Sequence, residues 1–398
     1  MSSAPTPFSI ARLPCIEFGS GRLDQVPKLA AGFGRRALLV TGARSFMNGP
    51  HGPRLRAALE AQGIAWEHLA VDGEPTPELV DEAAARFAGH DIQVVIGIGG
   101  GSALDTAKAV AGLLRVGRSV MDYLEGVGPE LPYEGPAVPF IAVPTTAGTG
   151  SEATKNAVLG RRGPEGFKKS FRHERLVARY AVVDPDLLET CPPPVIAANG
   201  MDALTQLLES YVSTRANPFT DALNLAALRD LREGLLPFHE SAGAAAAARA
   251  RMAWAALASG ITLAQTGLGA VHGLAAPLGA FFPIAHGVAC GALVAAATAV
   301  NIEVLRRRAP RSPALDRYAQ AAEALHGRHF SSRDKALDGL VALLQEWTRR
   351  LELPRLSALG VGTRDLNRIV AHSRGNSMRT NPVELADAEV RAILERAL

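Results

Sequence analysis

Two histidines fourteen residues apart, His272 and His286, stand in the glycine-rich, apolar stretch VHGLAAPLGAFFPIAHG. Upstream, Asp202 lies in NGMDALTQLLE. Two imidazoles and a carboxylate form a ligand set for a divalent cation that still leaves a coordination position for substrate. Gln206 follows Asp202 by four residues, so on a helix both point from one face. His272 and His286 cannot share a helical turn, and Pro277 and Pro283 between them predict that two elements deliver them. A lone histidine is more often packed than liganding. Here both lie in nearly charge-free surroundings and each is followed by glycine, so the ligand reading stands level with the packing one.

Much earlier comes GIGGGSALDTAK, residues 97–108. Glycines let a backbone approach phosphate oxygens, and a helix starting near Ser102 would present free N–H groups and its positive dipole end to an anion. The run is neither a Walker loop nor a clean G-x-G-x-x-G, and a tight strand-to-helix turn is the plain alternative. A second loop, PTTAGTGSEAT (144–154), sets the hydroxyls of Thr145, Thr146, Thr149 and Ser151 beside glycines after an apolar strand. Hydroxyl-rich loops at the carboxyl ends of parallel strands are where ligands bind in such sheets. A phosphate cradle together with an open metal site implies nucleotide-dependent redox chemistry.

These residues need elements to carry them. RALLVTG (36–42), IAWEHLAV (64–71), DIQVVIGIGGG (91–101), PFIAVPTT (139–146) and YAVVDPDLL (180–188) read as strands. HGPRLRAALEAQG (51–63), PELVDEAAARFAG (77–89) and SALDTAKAVAGLL (102–114) read as helices, the last with Leu104, Ala107, Ala111 and Leu114 on one face. This alternation predicts a parallel sheet with helices on both faces. Beyond CPPPVIAANGMD (191–202) strand-like runs become scarce, and helical spacing covers 194–213, 217–236, 244–266, 287–305, 313–325, 333–350, 364–371 and 386–397. The expected organisation is an α/β dinucleotide-binding domain over 1–190 and an all-α domain over 191–398.

Composition agrees with two cores: 398 residues, 47% hydrophobic and 20% charged. A net charge of +3 argues against nucleic acid or an anionic membrane as the main partner. Lys168, Lys169 and Arg172 form a local basic cluster, either a solvated face or a contact for cofactor or acidic substrate. Three dispersed cysteines, Cys15, Cys191 and Cys290, form no disulfide framework, which fits a reduced, cytoplasmic compartment. The opening MSSAPTPFSIARLPCIEF lacks the pattern of a secretory signal. The alanine-rich stretch 243–258 is too short and too polar to span a bilayer.

GGGSALDTAK, PTTAGTGSEAT, GMDAL and GAVHGLAAPLG…AHGVACG, in this order, resemble the iron-containing (group III) alcohol dehydrogenase family, over nearly the whole chain from FGSGRL (18–23) onward. The resemblance implies a dehydroquinate synthase-like architecture: a nucleotide-binding α/β domain, then a helical domain, with metal and substrate in the cleft between them. It implies NAD or NADP, a divalent metal (Fe2+ or Zn2+), a small alcohol or aldehyde as substrate, and a homodimer or higher homo-oligomer. Carried over by position, it assigns Gly99, Gly100, Gly101 and Ser102 to the pyrophosphate and Asp105 to the nicotinamide end. Thr145, Thr146 and Thr149 fall to adenine and ribose contacts, and Lys168 to the nicotinamide ribose. Asp202, His272 and His286 match metal ligands at the catalytic centre.

Three positions depart from the family pattern. Gln206 replaces a histidine, and its carbonyl oxygen is a weak ligand for iron or zinc. An Asp-His-His set still suffices for zinc with an open site, an arrangement the family's glycerol dehydrogenase branch resembles. Ala276 stands where a histidine proposed as a proton relay often occurs. Gly42 ends RALLVTG where an acidic side chain would hold the adenosine ribose and repel a 2′-phosphate. Glycine removes that repulsion, and Arg44 and Ser45 could receive the phosphate; alternatively Gly42 only makes a turn. Two rival readings stand beside the dehydrogenase. One is an NAD- and metal-using lyase of dehydroquinate synthase type, disfavoured by a helical half poor in lysine. The other is a cofactor-binding homologue that has lost its metal, kept alive by Gln206.

Overall fold

The computed structural model describes residues 7–398, so the first six residues of the opening segment lie outside it. The chain divides into two compact units. One comprises Ala11–Arg161 and Lys168–Cys191; the other comprises Pro192–Leu398 together with Arg162–Phe167 and residues 7–10.

The first unit is built on six parallel strands in the order β1-β8-β5-β4-β2-β3. They are β1 (Cys15–Phe18), β2 (Arg36–Gly42), β3 (Ala65–Val71), β4 (Val94–Gly99), β5 (Phe140–Pro144) and β8 (Tyr180–Val183). Helices α1 (Val26–Ala31), α2 (Ser45–Asn48), α3 (His51–Ala61), α4 (Pro77–Phe87) and α5 (Gly101–Leu113) lie between them in sequence, as parallel crossovers require. Central β4, VVIGIG, is buried at every position, which explains why it reads as a continuous apolar run. Its alternate side chains serve opposite faces. Ile96 and Ile98 join a core with Leu39, Ile141, Val26, Leu55 and Leu59, which places α1 and α3 on that face. Gly97 points the other way: a Cβ there would come within 2.7 Å of the Ala107 methyl of α5.

Two further strands, β6 (Asn156–Arg161) and β7 (Phe167–Arg172), pair as a separate ribbon. These two strands, with β1, α1 and α2, carry no clear apolar period in the sequence. These are short elements whose exposed or charged positions interrupt any apolar period.

The second unit carries α6 (Pro193–Val212), α7 (Pro218–Glu240), α8 (Ala246–Thr266), α9 (Ala270–Phe281), α10 (His286–Arg308), α11 (Pro313–His326), α12 (Arg333–Arg350), α13 (Leu366–Ala371) and α14 (Asp387–Ala397). The helix absent from the sequence reading is α9, because Pro277 lies inside it. An interior proline costs about 3 kcal/mol. Against that, Val271, Leu274, Ala275, Leu278 and Ala280 are all buried, and this burial outweighs the proline. The break between the histidines falls instead at 282–285, around Pro283. Helix α10 is long and apolar enough to cross a membrane by length and composition, yet most of it is buried within the protein.

Beneath the second loop of the α/β unit lies a polar network. Lys108, fully buried on α5, is within hydrogen-bond reach of Ser151 O (2.8 Å), Ser151 Oγ (3.0 Å), Thr154 Oγ1 (3.0 Å) and Asn156 O (2.7 Å). Glu152 is also buried, and burial pushes its carboxyl up to about 7 despite its backbone hydrogen bond and nearby Lys108. Between the ordinary value of 4.5 and about 7 the folded chain therefore holds a proton that the unfolded chain has released. Stability falls as pH rises through that window. In Glu152→Gln this loss should vanish, so the melting temperature should decline less between those pH values than in the wild type. Parallel pH profiles for the two proteins would refute the assignment.

Candidate metal and cofactor sites

Three helices of the second unit deliver the candidate ligands. Asp202 lies mid-way along α6, His272 in the first turn of α9, and His286 at the first position of α10. The glycine after His286 has a packing reason: a Cβ on Gly287 would lie 2.4 Å from Ala198 O of α6, so only glycine lets the start of α10 approach α6 this closely. Asp202 Oδ1 is 3.3 Å from His272 Nε2 and 3.8 Å from His286 Nε2. It is buried and makes no hydrogen bond. A buried carboxylate oxygen facing two imidazole nitrogens without hydrogen-bonding either is the arrangement expected where a cation belongs. Burial opposes ionisation of Asp202, but the adjacent His286 and His272 prevail and hold its carboxyl below the usual range.

Two residues missed in the sequence complete this centre. Cys290, one turn after His286 on α10, places Sγ 3.8 Å from both His272 Nε2 and His286 Nε2. One ligand atom from each of Asp202, His272, His286 and Cys290 falls within 4.8 Å of the others. Burial pushes the Cys290 thiol up to about 12, so without a cation the sulfur keeps its proton. Glu209, seven residues after Asp202 on α6, accepts from His272 Nδ1 at 2.7 Å and from the backbone N–H groups of Gly269 (2.9 Å) and Val271 (2.7 Å). This fixes the proton on Nδ1 and turns Nε2 toward Asp202, the arrangement in which a carboxylate behind a histidine would orient it as a metal ligand. The sequence signals were helical spacings: i,i+4 from His286 and i,i+7 from Asp202. Gln206 is buried on the same face of α6, and its Oε1 accepts from the Ser259 hydroxyl at 2.6 Å.

In the first unit the two loops meet. A Cβ on Gly100 would lie 3.3 Å from Thr146 Oγ1, and one on Gly101 would lie 2.7 Å from Thr149 Cγ2. The backbone of Thr145 donates to Gly99 O at 2.9 Å. Gly99 itself takes a φ of +157°, and a Cβ there would collide with Ala103. Helix α5 starts with Gly100 as its N-cap, so no side chain satisfies the first-turn N–H groups, and Ser102 lies in that turn. The chain runs from β2 outward to β3 and returns to β4 on the other side of β2, so β2 and β4 flank the point where strand order reverses. Gly42 and Gly99 end these two strands, the position at which such sheets bind ligands. A Cβ on Gly42 would meet nothing within 4 Å, and its φ is not in the left-handed region, so neither packing nor a turn demands glycine there.

The remaining predicted residues have local partners. Asp105 accepts from Ser151 Oγ and from Val158 N (3.0 Å), tying α5 to the second loop and to β6. Lys168 on β7 pairs with Glu74 at 3.1 Å, Arg172 pairs with Glu125 at 3.3 Å, and Lys155 pairs with Glu174.

Known proteins match this arrangement throughout. Residues 14–185 fit the family described as iron-containing alcohol dehydrogenase, and residues 196–398 fit the C-terminal part of the Fe-containing alcohol dehydrogenase family. The chain belongs to the iron-containing alcohol dehydrogenase family. It is similar to long-chain-alcohol dehydrogenase 1 of Geobacillus thermodenitrificans, at 33% identity over 98% of this chain and 97% of the relative. It also resembles an NADPH-dependent butanol dehydrogenase of Clostridium saccharobutylicum, at 29% identity over 96% of this chain and 95% of that one. Among solved structures, a 1,3-propanediol oxidoreductase superposes with a TM-score of 0.89 at 27% identity, covering 99% of this chain and 100% of that chain.

The protein is thus an oxidoreductase acting on CH–OH groups, in a family that uses NAD(P) and a divalent metal. Membership favours the dehydrogenase over the lyase raised from the sequence. Because Glu209 alone meets three donors, Glu209→Gln puts an amide N–H where an acceptor is needed. Zinc affinity should drop about 10–100-fold, as for other second-sphere changes, with NADPH affinity unchanged. Unaltered zinc affinity, read by chelator competition, would reduce Glu209 to a helix cap.

Proposed function

We propose that this enzyme interconverts a small, largely apolar alcohol and its aldehyde with NADP(H), at a divalent cation held by Asp202, His272 and His286. The observation that carries this reading is the buried Asp202 Oδ1, which faces both imidazole nitrogens and makes no hydrogen bond. A cation held there would supply Lewis-acid polarisation of the substrate oxygen, and a nicotinamide cofactor would supply the hydride chemistry.

The chain's own residues bind and orient. Gly99, Gly100 and Gly101 admit the pyrophosphate to the uncapped start of α5, with the first-turn N–H groups and Ser102 as donors. Thr145, Thr146 and Thr149 wall the same loop, and Asp105 holds that wall in place through Ser151. Gly42 offers neither the charge nor the bulk that would exclude a 2′-phosphate, and exposed Arg44 and Ser45 stand two and three residues after it. The named cofactor of the Clostridium relative supports NADPH further. Lys168 is engaged with Glu74, which leaves it a subordinate part in cofactor binding. Glu209 holds His272 in the tautomer that presents Nε2. Ala276 cannot carry a proton, so no side chain at that position takes up the substrate proton. Trp254, Leu263, Phe281 and Phe282 are half-buried rather than core, which supports an apolar substrate pocket.

Three free cysteines support a cytoplasmic enzyme. Ile16 and Phe18, exposed on edge strand β1, support association with a second copy of the chain.

The test is a screen of small aldehydes with NADPH on metal-loaded protein. His272→Ala should cut turnover by about 10³-fold or more, the several kcal/mol that Lewis-acid polarisation is worth, while NADPH binding stays within about twofold. Joint loss of both functions would mean that His272 is structural. For cofactor choice, Gly42→Asp should move the NADPH/NADH ratio of kcat/KM toward NADH by about tenfold or more, because a like-charge juxtaposition costs several kcal/mol. An unchanged ratio would place the 2′-phosphate elsewhere.

A further inference from the structure

We infer that Cys290 is a fourth protein ligand of the cation, so that the centre is an Asp-His-His-Cys site suited to zinc. The inference rests on the metal reading given above and adds to it the identity of one donor and the preferred metal.

Distances come first. Bonds of about 2.0–2.1 Å to nitrogen or oxygen and about 2.3 Å to sulfur, arranged tetrahedrally, put neighbouring donor atoms roughly 3.3–3.6 Å apart. The spacings present are 3.3 Å from Asp202 Oδ1 to His272 Nε2, 3.8 Å from Asp202 Oδ1 to His286 Nε2, and 3.8 Å from Cys290 Sγ to each Nε2. The two remaining pairs, Asp202 with Cys290 and His272 with His286, lie within 4.8 Å, so side-chain adjustment of roughly an ångström at most would bring all four onto one cation. Separations of 3.8 Å to nitrogen make at best weak thiol hydrogen bonds, and Asp202 Oδ1 has none at all. The four groups share a volume without satisfying one another.

Gln206 is the competing donor on α6, and its carbonyl oxygen is already engaged by Ser259. The thiol reaches the centre from α10 instead, on the same helical face as His286. A thiolate is a softer ligand than an amide oxygen and biases a site toward zinc. Zinc also accepts expansion to five ligands, which leaves room for a substrate oxygen beside four protein donors.

The experiment uses the full chain, stripped of metal and titrated anaerobically with cobalt(II) and then with zinc(II). Coordinated thiolate gives cobalt(II) an intense near-ultraviolet charge-transfer band that nitrogen and oxygen ligands do not. The expected result is one cobalt per chain with that band, and loss of the band in Cys290→Ser while the visible ligand-field bands persist. Zinc affinity of Cys290→Ser, measured by chelator competition, should fall at least about tenfold. The wild-type spectrum decides the matter even if the variant folds poorly. One cobalt per chain without the thiolate band, lost in His286→Ala, would overturn the Cys290 ligand and leave the three-residue site standing. No cobalt or zinc uptake by the wild type would overturn the metal reading and this inference with it.

Discussion

The Glu209 carboxylate is the constraint on which the helical unit's chemistry depends. It sits on α6, seven residues from Asp202, and closes the start of α9 by accepting from Gly269 and Val271. Its Oε2, which accepts from Gly269, also holds His272 Nδ1. One buried charge thus fixes where α9 begins, how it approaches α6 and which imidazole nitrogen is presented. Gly269 is part of this arrangement, since a Cβ there would stand 2.8 Å from Glu209 Oε1. A charge buried this deeply persists only when its oxygens are satisfied, and here three donors satisfy them.

The centre next to it is built on the opposite principle. Asp202, almost fully buried, leaves Oδ1 without a hydrogen bond among two imidazoles and a thiol. A fold optimised only for stability would have replaced this cluster with apolar packing. Retaining it costs stability that a cation, bound as proposed, would return, because such a centre gains its binding energy only when folded. Satisfied Glu209 and unsatisfied Asp202 stand two turns apart on one helix.

Much of this was legible in sequence because the signals were local. Strands β2, β4 and β5 are short apolar runs, two of them closed by glycine, and the strand-loop-helix transition at 97–108 carries its purpose in its glycines. Asp202 and the histidines could be selected because those residue types are rare in apolar segments. What was not legible depends on contacts between distant segments. Helix α9 survives Pro277 only through burial that no local pattern records. Cys290 in an alanine-rich helix reads as one more small apolar residue, and becomes a candidate ligand only when α6 and α9 bring Asp202 and His272 to it. Glu209 in LLESYV reads as the polar face of an amphipathic helix, yet that face meets α9 rather than water. Lys168 shows what charge alone leaves out: its ammonium has Glu74 as a partner within the same unit, a contact no local pattern records.

The α/β unit solves a different problem, which is to hold two loops still without filling the space a dinucleotide needs. A side chain on Gly101 would strike Thr149 and one on Gly100 would crowd Thr146, so the loops approach this closely because these positions are bare, while Gly99 is held bare by Ala103 of α5. Rigidity then has to come from below. Lys108 supplies it, reaching from α5 into the carbonyls and hydroxyls of the second loop, with Asp105 fastening Ser151 and Val158 from the same helix. The helix that offers its uncapped N–H groups to an anion is therefore also the scaffold of the opposite wall. Any displacement of α5 moves donor and wall together, which keeps the distance between them constant. Gly42 belongs to this geometry by position alone. With nothing packed where its Cβ would be, the residue can change without disturbing the loops. The residue at the end of β2 can therefore vary independently of the loop contacts at Gly99, Gly100 and Gly101.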